Sequence, residues 1–300
     1  MQTIFLTGAS GFIGGSVAVQ LINAGYAVRG LVRDRAKAVL VAQAGMVPVL
    51  GDLDDTELLS REAGEADGVF SAADSDHVAS LKALLAGLAG SGKPLIHISG
   101  SSVIADDARG MTASATIFDE DTPLIIHPFK QPRRDIDLMV LDGSASAVRS
   151  VVICPSMIYG TGYGLNKESI QIPFLVLVAK AEGKVVVVGE GVNRWSHVHI
   201  DDLCALILLA LQSAPPGSFY FAEHGEASYE AIGTAISARL GLDTVGSIPA
   251  HVAAEKWGAA RAYFSFGGNS RVHAKRARAE LGWRPAHGSL ISWIELDMPV

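Results

Sequence analysis

The residues best suited to chemistry stand at the start of the chain. Gly8, Gly11 and Gly14 recur at every third position within Thr7-Gly8-Ala9-Ser10-Gly11-Phe12-Ile13-Gly14-Gly15. Glycine lets a backbone turn tightly and approach a pyrophosphate with no Cβ in the way. An apolar run, Thr3-Ile4-Phe5-Leu6, precedes the glycines, and a helical pattern follows them. A helix opening there would aim free N–H groups and a partial positive charge at an anion. Three spaced glycines alone are weak evidence, because a tight turn without ligand needs them too. The strand–turn–helix context makes the phosphate cradle the stronger reading.

The second apolar run ends at Leu31-Val32-Arg33-Asp34. An acid at such a strand end favours a free 2′-hydroxyl on the adenosine ribose, and an arginine accommodates a 2′-phosphate. Arg33, assisted by Lys37, points to NADP. Asp34 keeps NAD as the alternative, and Arg33 could equally be a solvated strand end. Asp52, in Gly51-Asp52-Leu53-Asp54, can accept from an adenine amino group or cap a helix beginning at Thr56. His197, His199 and Asp201 alternate, so one face of an extended stretch holds all three. Packing explains them better than ligation, and no metal is expected. No Walker lysine follows the glycines, and no Gly-x-Ser-x-Gly elbow accompanies Ser10.

Elements must hold these residues in place. Apolar runs at 4–7, 27–32, 47–50, 68–72, 95–99 and 147–154 read as buried parallel strands. Helical stretches lie between them, one over about 12–24 stopping at Gly25 and one over about 77–89. The alternation predicts an α/β fold, a Rossmann-type doubly wound parallel sheet with right-handed crossovers. Beyond Pro155 the pattern is less regular. Helices are expected near 170–182, 228–240 and 270–281, with strands at 185–188 and 219–221. Residues 1–155, joined by about 190–215, form the expected nucleotide domain, and 156–300 supply mainly a smaller α/β substrate domain.

Composition narrows the class. The 300 residues are 49% hydrophobic and 18% charged, enough apolar matter for a full core. The net charge of -7 argues against a nucleic-acid partner, which needs clustered Lys and Arg. No apolar run is long enough for a bilayer, so no membrane partner is expected. Cys154 and Cys204 sit in apolar runs and read as buried thiols of a reducing compartment. A cytoplasmic protein with a small-molecule substrate is the resulting expectation.

Further segments fit a pattern in order and spacing: Val69-Phe70-Ser71-Ala72-Ala73, His97-Ile98-Ser99-Gly100-Ser101-Ser102, Pro155-Ser156-Met157-Ile158-Tyr159-Gly160, His199-Ile200-Asp201-Asp202-Leu203 and Glu280-Leu281-Gly282-Trp283-Arg284-Pro285. With the glycine loop, they resemble the extended short-chain dehydrogenase/reductase superfamily, the NAD-dependent epimerase/dehydratase family, over nearly the whole chain. The resemblance implies that Gly8, Ser10, Gly11, Phe12, Ile13 and Gly14 line the pyrophosphate and Arg33 faces the ribose. Asp52 and Leu53 would bracket the adenine. Ala72, Ala73 and Ser99 would lie along the cofactor, and Pro155 and Met157 near the nicotinamide. It also implies a homodimer through helices near 77–89 and 131–141.

The chain departs from the family where a Tyr and a Lys four residues later should carry acid–base work. Phe129 and Arg133 fall at those places. Phenylalanine has no proton to give, and the planar arginine fork is not a lysine ammonium. Pro132 requires the helix to begin near it, so Phe129 is expected to precede that helix. Ser99, Ser101 and Ser102 are all candidates for the family's serine, and Gly100 could fall at the same place; Ser101 is preferred, and Arg133 could hold the ribose. Tyr159, Tyr163 and His127 are alternative proton donors. Tyr159 is the preferred one, although a packed tyrosine bonded to backbone explains it as well. Two functions follow: an atypical NAD(P)-dependent oxidoreductase or epimerase acting on a small carbonyl or sugar-like substrate, or a catalytically degraded NADP(H)-binding redox sensor.

Overall fold

A computed structural model describes residues 1–300. The strands and helices alternate from the start: β1 (Thr3–Thr7), α1 (Phe12–Asn23), β2 (Ala27–Val32), α2 (Arg35–Gln43), β3 (Val47–Leu50), α3 (Thr56–Glu65), β4 (Gly68–Ser71), α4 (Val78–Leu88) and β5 (Pro94–Ile98). Then follow α5 (Gln131–Asp142), β6 (Arg149–Pro155), β7 (Met157–Tyr159), α6 (Gln171–Glu182), β8 (Val185–Val188), β9 (Arg194–His199), α7 (Ile200–Ser213) and β10 (Ser218–Ala222). The chain ends with β11 (Glu226–Ser228), α8 (Tyr229–Leu240), β12 (Val245–Ile248), α9 (Ala250–Trp257), α10 (Lys275–Leu281) and α11 (Leu290–Leu296).

Seven strands make one sheet in the order β3-β2-β1-β4-β5-β6-β10, every neighbour parallel. The order reverses direction between β1 and β4, the switch point where such sheets leave a crevice at their carboxyl ends. The inner strands are apolar on both faces because helices cover both. Val151, Val152 and Ile153 of β6 are fully buried, each contributing about 1.5–3 kcal/mol through burial.

A second, smaller core is built from the parallel pair β8–β12 and the sheet β7-β9-β11. It takes Met157–Trp195, Ala227–Phe266 and Leu290–Met298. The chain returns to the first core twice, with Val198–Ala222 and with Val272–Trp283. The second return was not foreseen in the sequence. The helix expected over 270–281 is shortened to α10, because Ser270 bridges to Trp195 and Val272 to Phe118 in extended form. No helix is long and apolar enough to cross a membrane.

Candidate functional site

The glycine loop joins β1 to α1 at the centre of the sheet edge. Gly8 has φ +82°, and a Cβ there would lie 2.8 Å from the backbone of Ala72. A Cβ on Gly14 would lie 2.2 Å from the Gly8 carbonyl oxygen. Only glycine fits either place. The N-cap of α1, Gly11, has no side-chain cap, so the first N–H groups of the helix face the loop. Ser16 ties the loop to Tyr163, whose N–H it accepts at 3.0 Å.

Beside the loop lies a cleft of about 510 Å³. Gly8, Ser10, Gly11, Arg33, Asp52, Leu53, Ala72 and Ala73 line it, together with Lys37. The structure therefore brings together most of the expected adenosine-side residues. The two charged side chains after β2 separate here. Asp34 is the N-cap of α2 and accepts the Lys37 N–H at 2.8 Å. Arg33 makes no ion pair. Asp52 does not cap α3. It accepts the N–H groups of Asp54 and Asp55 at 2.9 and 3.2 Å, and Asp55 is the cap.

At the other end of the sheet edge, a cleft of about 230 Å³ is lined by Ile13, Ser99, Gly100, Ser101, Ser102, Pro155 and Ser156 from the nucleotide side. Ile158, Ile170, Gln171, Trp195, Arg261, Ser265 and Phe266 close it from the other core. Ser101 is buried, and Ser270 Oγ lies 2.8 Å from both its Oγ and its carbonyl oxygen. Ser99 donates to Asp137 at 3.0 Å. Asp137 is fully buried on α5, and burial pushes its carboxyl up to about 6.

Two expected residues lie elsewhere. Successive residues of a strand face opposite ways, so Ile158 lines the cleft while Met157 and Tyr159 turn into the second core. The Tyr159 hydroxyl donates to the Gly288 carbonyl, and burial raises it well above the usual tyrosine range. This geometry matches the packed tyrosine weighed above, and Tyr159 is not among the residues lining the cleft that holds Ser101. Phe12 is also turned inward and packs against Gly162.

Phe129 precedes α5, on a short turn at Pro128–Lys130, and Pro132 sits in the first turn of the helix. The Phe129 ring stacks on Phe264 at 5.0 Å. Arg133 forms a bidentate pair with Asp76, tying the loop after β4 to the first turn of α5. That pair holds the Asp76 carboxyl below its ordinary range. Lys130, which sequence reasoning passed over, lies 5.1 Å from the Phe264 ring centre. Its turn packs against residues 101–104. Burial, then the Arg133 guanidinium, lowers its amine to about 8. The signal was there: a lysine next to the expected Tyr place.

The alternating histidines also divide. His199 and Asp201 meet His287, not His197. Asp201 Oδ2 lies 3.0 Å from His287 Nε2 and 3.6 Å from His199 Nδ1. The two rings stack at 3.9 Å with an interplanar angle of 11°. Near-parallel rings direct their in-plane lone pairs side by side and do not converge on one ion.

A sequence model described as the NAD dependent epimerase/dehydratase family matches residues 4–220. The oxidase ucsJ of an Acremonium species is 34% identical, covering 98% of this chain and 96% of its own. The 4-hydroxy-2-methyl-3-oxo-4-farnesyl-3,4-dihydroquinoline-1-oxide ketoreductase of Stigmatella aurantiaca is 26% identical over 93% and 91% of the two chains. Among solved structures, dTDP-glucose 4,6-dehydratase from Bacillus anthracis, in complex with NAD, superposes with a TM-score of 0.77 at 19% identity, covering 98% and 94%. That likeness carries the fold. With the family match spanning most of the chain, the protein belongs to the NAD dependent epimerase/dehydratase family.

Proposed function

We propose that the protein is an NADPH-dependent reductase of a small carbonyl compound. The unpaired Arg33 guanidinium in the adenosine cleft carries the cofactor choice. Asp34, the acid that follows Arg33 at the end of β2, does not line the cleft and caps α2. The glycine loop suits a pyrophosphate, since Gly8 and Gly14 hold a turn too tight for any Cβ and the first turn of α1 has no side-chain cap. Bound NADPH would supply the hydride at its nicotinamide. The ketoreductase relative supports carbonyl reduction as the reaction.

The chain's own residues then have two tasks. Ser270 Oγ lies 2.8 Å from both the carbonyl oxygen and the Oγ of Ser101, and the Ser101 hydroxyl gives its proton to the substrate's carbonyl oxygen. Lys130, on the turn packed against residues 101–104, restores that proton from its ammonium. Arg133, paired with Asp76, orients the ribose side of the groove as a fixed cation.

Calorimetric titration with NADPH and NADH tests the reading. NADPH is expected to bind at least tenfold tighter than NADH, and Arg33→Ala is expected to erase the difference, in keeping with loss of charge-assisted bonds. Tighter NADH binding would overturn the NADP assignment. NADPH binding without turnover of any carbonyl would favour the redox-sensor reading instead.

A further inference from the structure

We propose that Arg261 binds a carboxylate, so that the substrate is an oxo acid: one apolar skeleton carrying both the reacting carbonyl and a carboxylate. The carbonyl end rests on the reductase reading above. The carboxylate end rests on the cleft itself.

Arg261 is the only charged residue among those lining the 230 Å³ cleft. Its side chain has no ion pair and no hydrogen bond. Its guanidinium carbon lies 4.5 Å above the ring of Phe174, which holds the plane of the fork while leaving its N–H edges free. Other arginines of the second core are satisfied. Arg194 and Arg271 share Glu226, Arg239 donates to backbone carbonyls at the end of α11, and Arg109 pairs with Asp107. Arg261 is exposed at the edge of the cleft and differs from these neighbours in having no partner of its own. It stands in a π-helical stretch, Ala260–Ser265, a rare conformation concentrated at functional sites.

The shape of the cleft defines the rest of the ligand. Ile13, Ile158, Trp195 and Phe266 give it apolar walls, and Gln171 adds one neutral amide. Ser101 and Arg261 line the same small space, so one compact molecule meets both. A single cation balances a carboxylate monoanion, whereas a phosphate dianion would leave charge unmatched. A guanidinium fork fits a carboxylate with two parallel bonds.

The test compares 3-hydroxyoctanoate with its methyl ester, by calorimetry on the NADPH-saturated protein, where neither compound can react. The wild type is expected to bind the acid about tenfold to a hundredfold tighter than the ester. Arg261→Gln is expected to abolish that preference without changing NADPH affinity, and Arg261→Lys to retain part of it. Equal binding of the two compounds, binding of neither, or a preference that survives in Arg261→Gln would overturn the inference. The titration is repeated without cofactor. Failure to bind NADPH overturns the reductase reading, and the acid preference is then judged on the cofactor-free protein alone.

Discussion

The amine of Lys130 rests against the stacked rings of Phe129 and Phe264 and beside Arg133. Apolar surroundings and a neighbouring cation both disfavour the ammonium, which brings its titration to about 8. As the proton source proposed for the site, it is lost when the pH rises through that value. The reduction rate at saturating NADPH is therefore expected to hold below pH 8 and fall about tenfold per unit above it. Lys130→Met is expected to lower kcat by about 10² or more and to flatten the remaining profile. A full-rate variant would remove Lys130 from the chemistry. This residue illustrates what was hard to read beforehand. The helix start at Pro132, with Phe129 before it, was legible. The way a turn folds one lysine back against two aromatic rings depends on Phe264, far along the chain, and no local pattern announces it. Tyr159 was misplaced for a simpler reason: strand parity decides which neighbour faces the cleft, and a three-residue strand is too short to show its parity in sequence.

At the scale of elements, β5 carries an unusual burden. His97 is wholly enclosed, and neither ring nitrogen has a partner. Burial, and then Arg133, lowers it to about 3. An unfolded histidine takes up its proton near 6.5. Between those values the unfolded chain binds a proton that the native state refuses, so stability falls as the pH drops, by about 1.4 kcal/mol per unit. His97→Leu removes this term. Its melting temperature relative to wild type is expected to rise on going from pH 8 to pH 4.5, as followed by circular dichroism. An unchanged difference between the two pH values would mean that His97 finds a proton acceptor in solution. The strands of this sheet were readable because each is apolar on both faces and punctuated by glycine or an N-capping acid. The stretch 270–281 was not, because Ser270 and Val272, weak helix formers ahead of a strongly helical run, are held extended in bridges with Trp195 and Phe118.

For the whole molecule, the decisive feature is that β10 comes from beyond residue 215 yet completes the sheet beside β6. A fragment of residues 1–155 would leave β6 as an exposed apolar edge and would lose α7, which covers the sheet with Leu203, Leu206 and Ile207. It is expected to aggregate or to lack near-ultraviolet dichroism, whereas a fragment that folds cooperatively would show that the first core is self-sufficient. The nucleotide half was legible because its strands and helices follow one another in order. In the second half α6, β8, β10 and α8 were legible one by one, but the division of its segments between two cores was not, since composition alone does not sort them.

The same interleaving bears on recombination. A chimera joined to a relative at Pro155 alone would inherit the partner's version of β10, α7 and α10, and with them new packing against an old sheet. Exchanging the substrate side cleanly requires splices on both flanks of Val198–Ala222 and again of Val272–Trp283. Substrate preference in this chain is therefore more accessible to point changes around the cleft than to the grafting of one contiguous cassette.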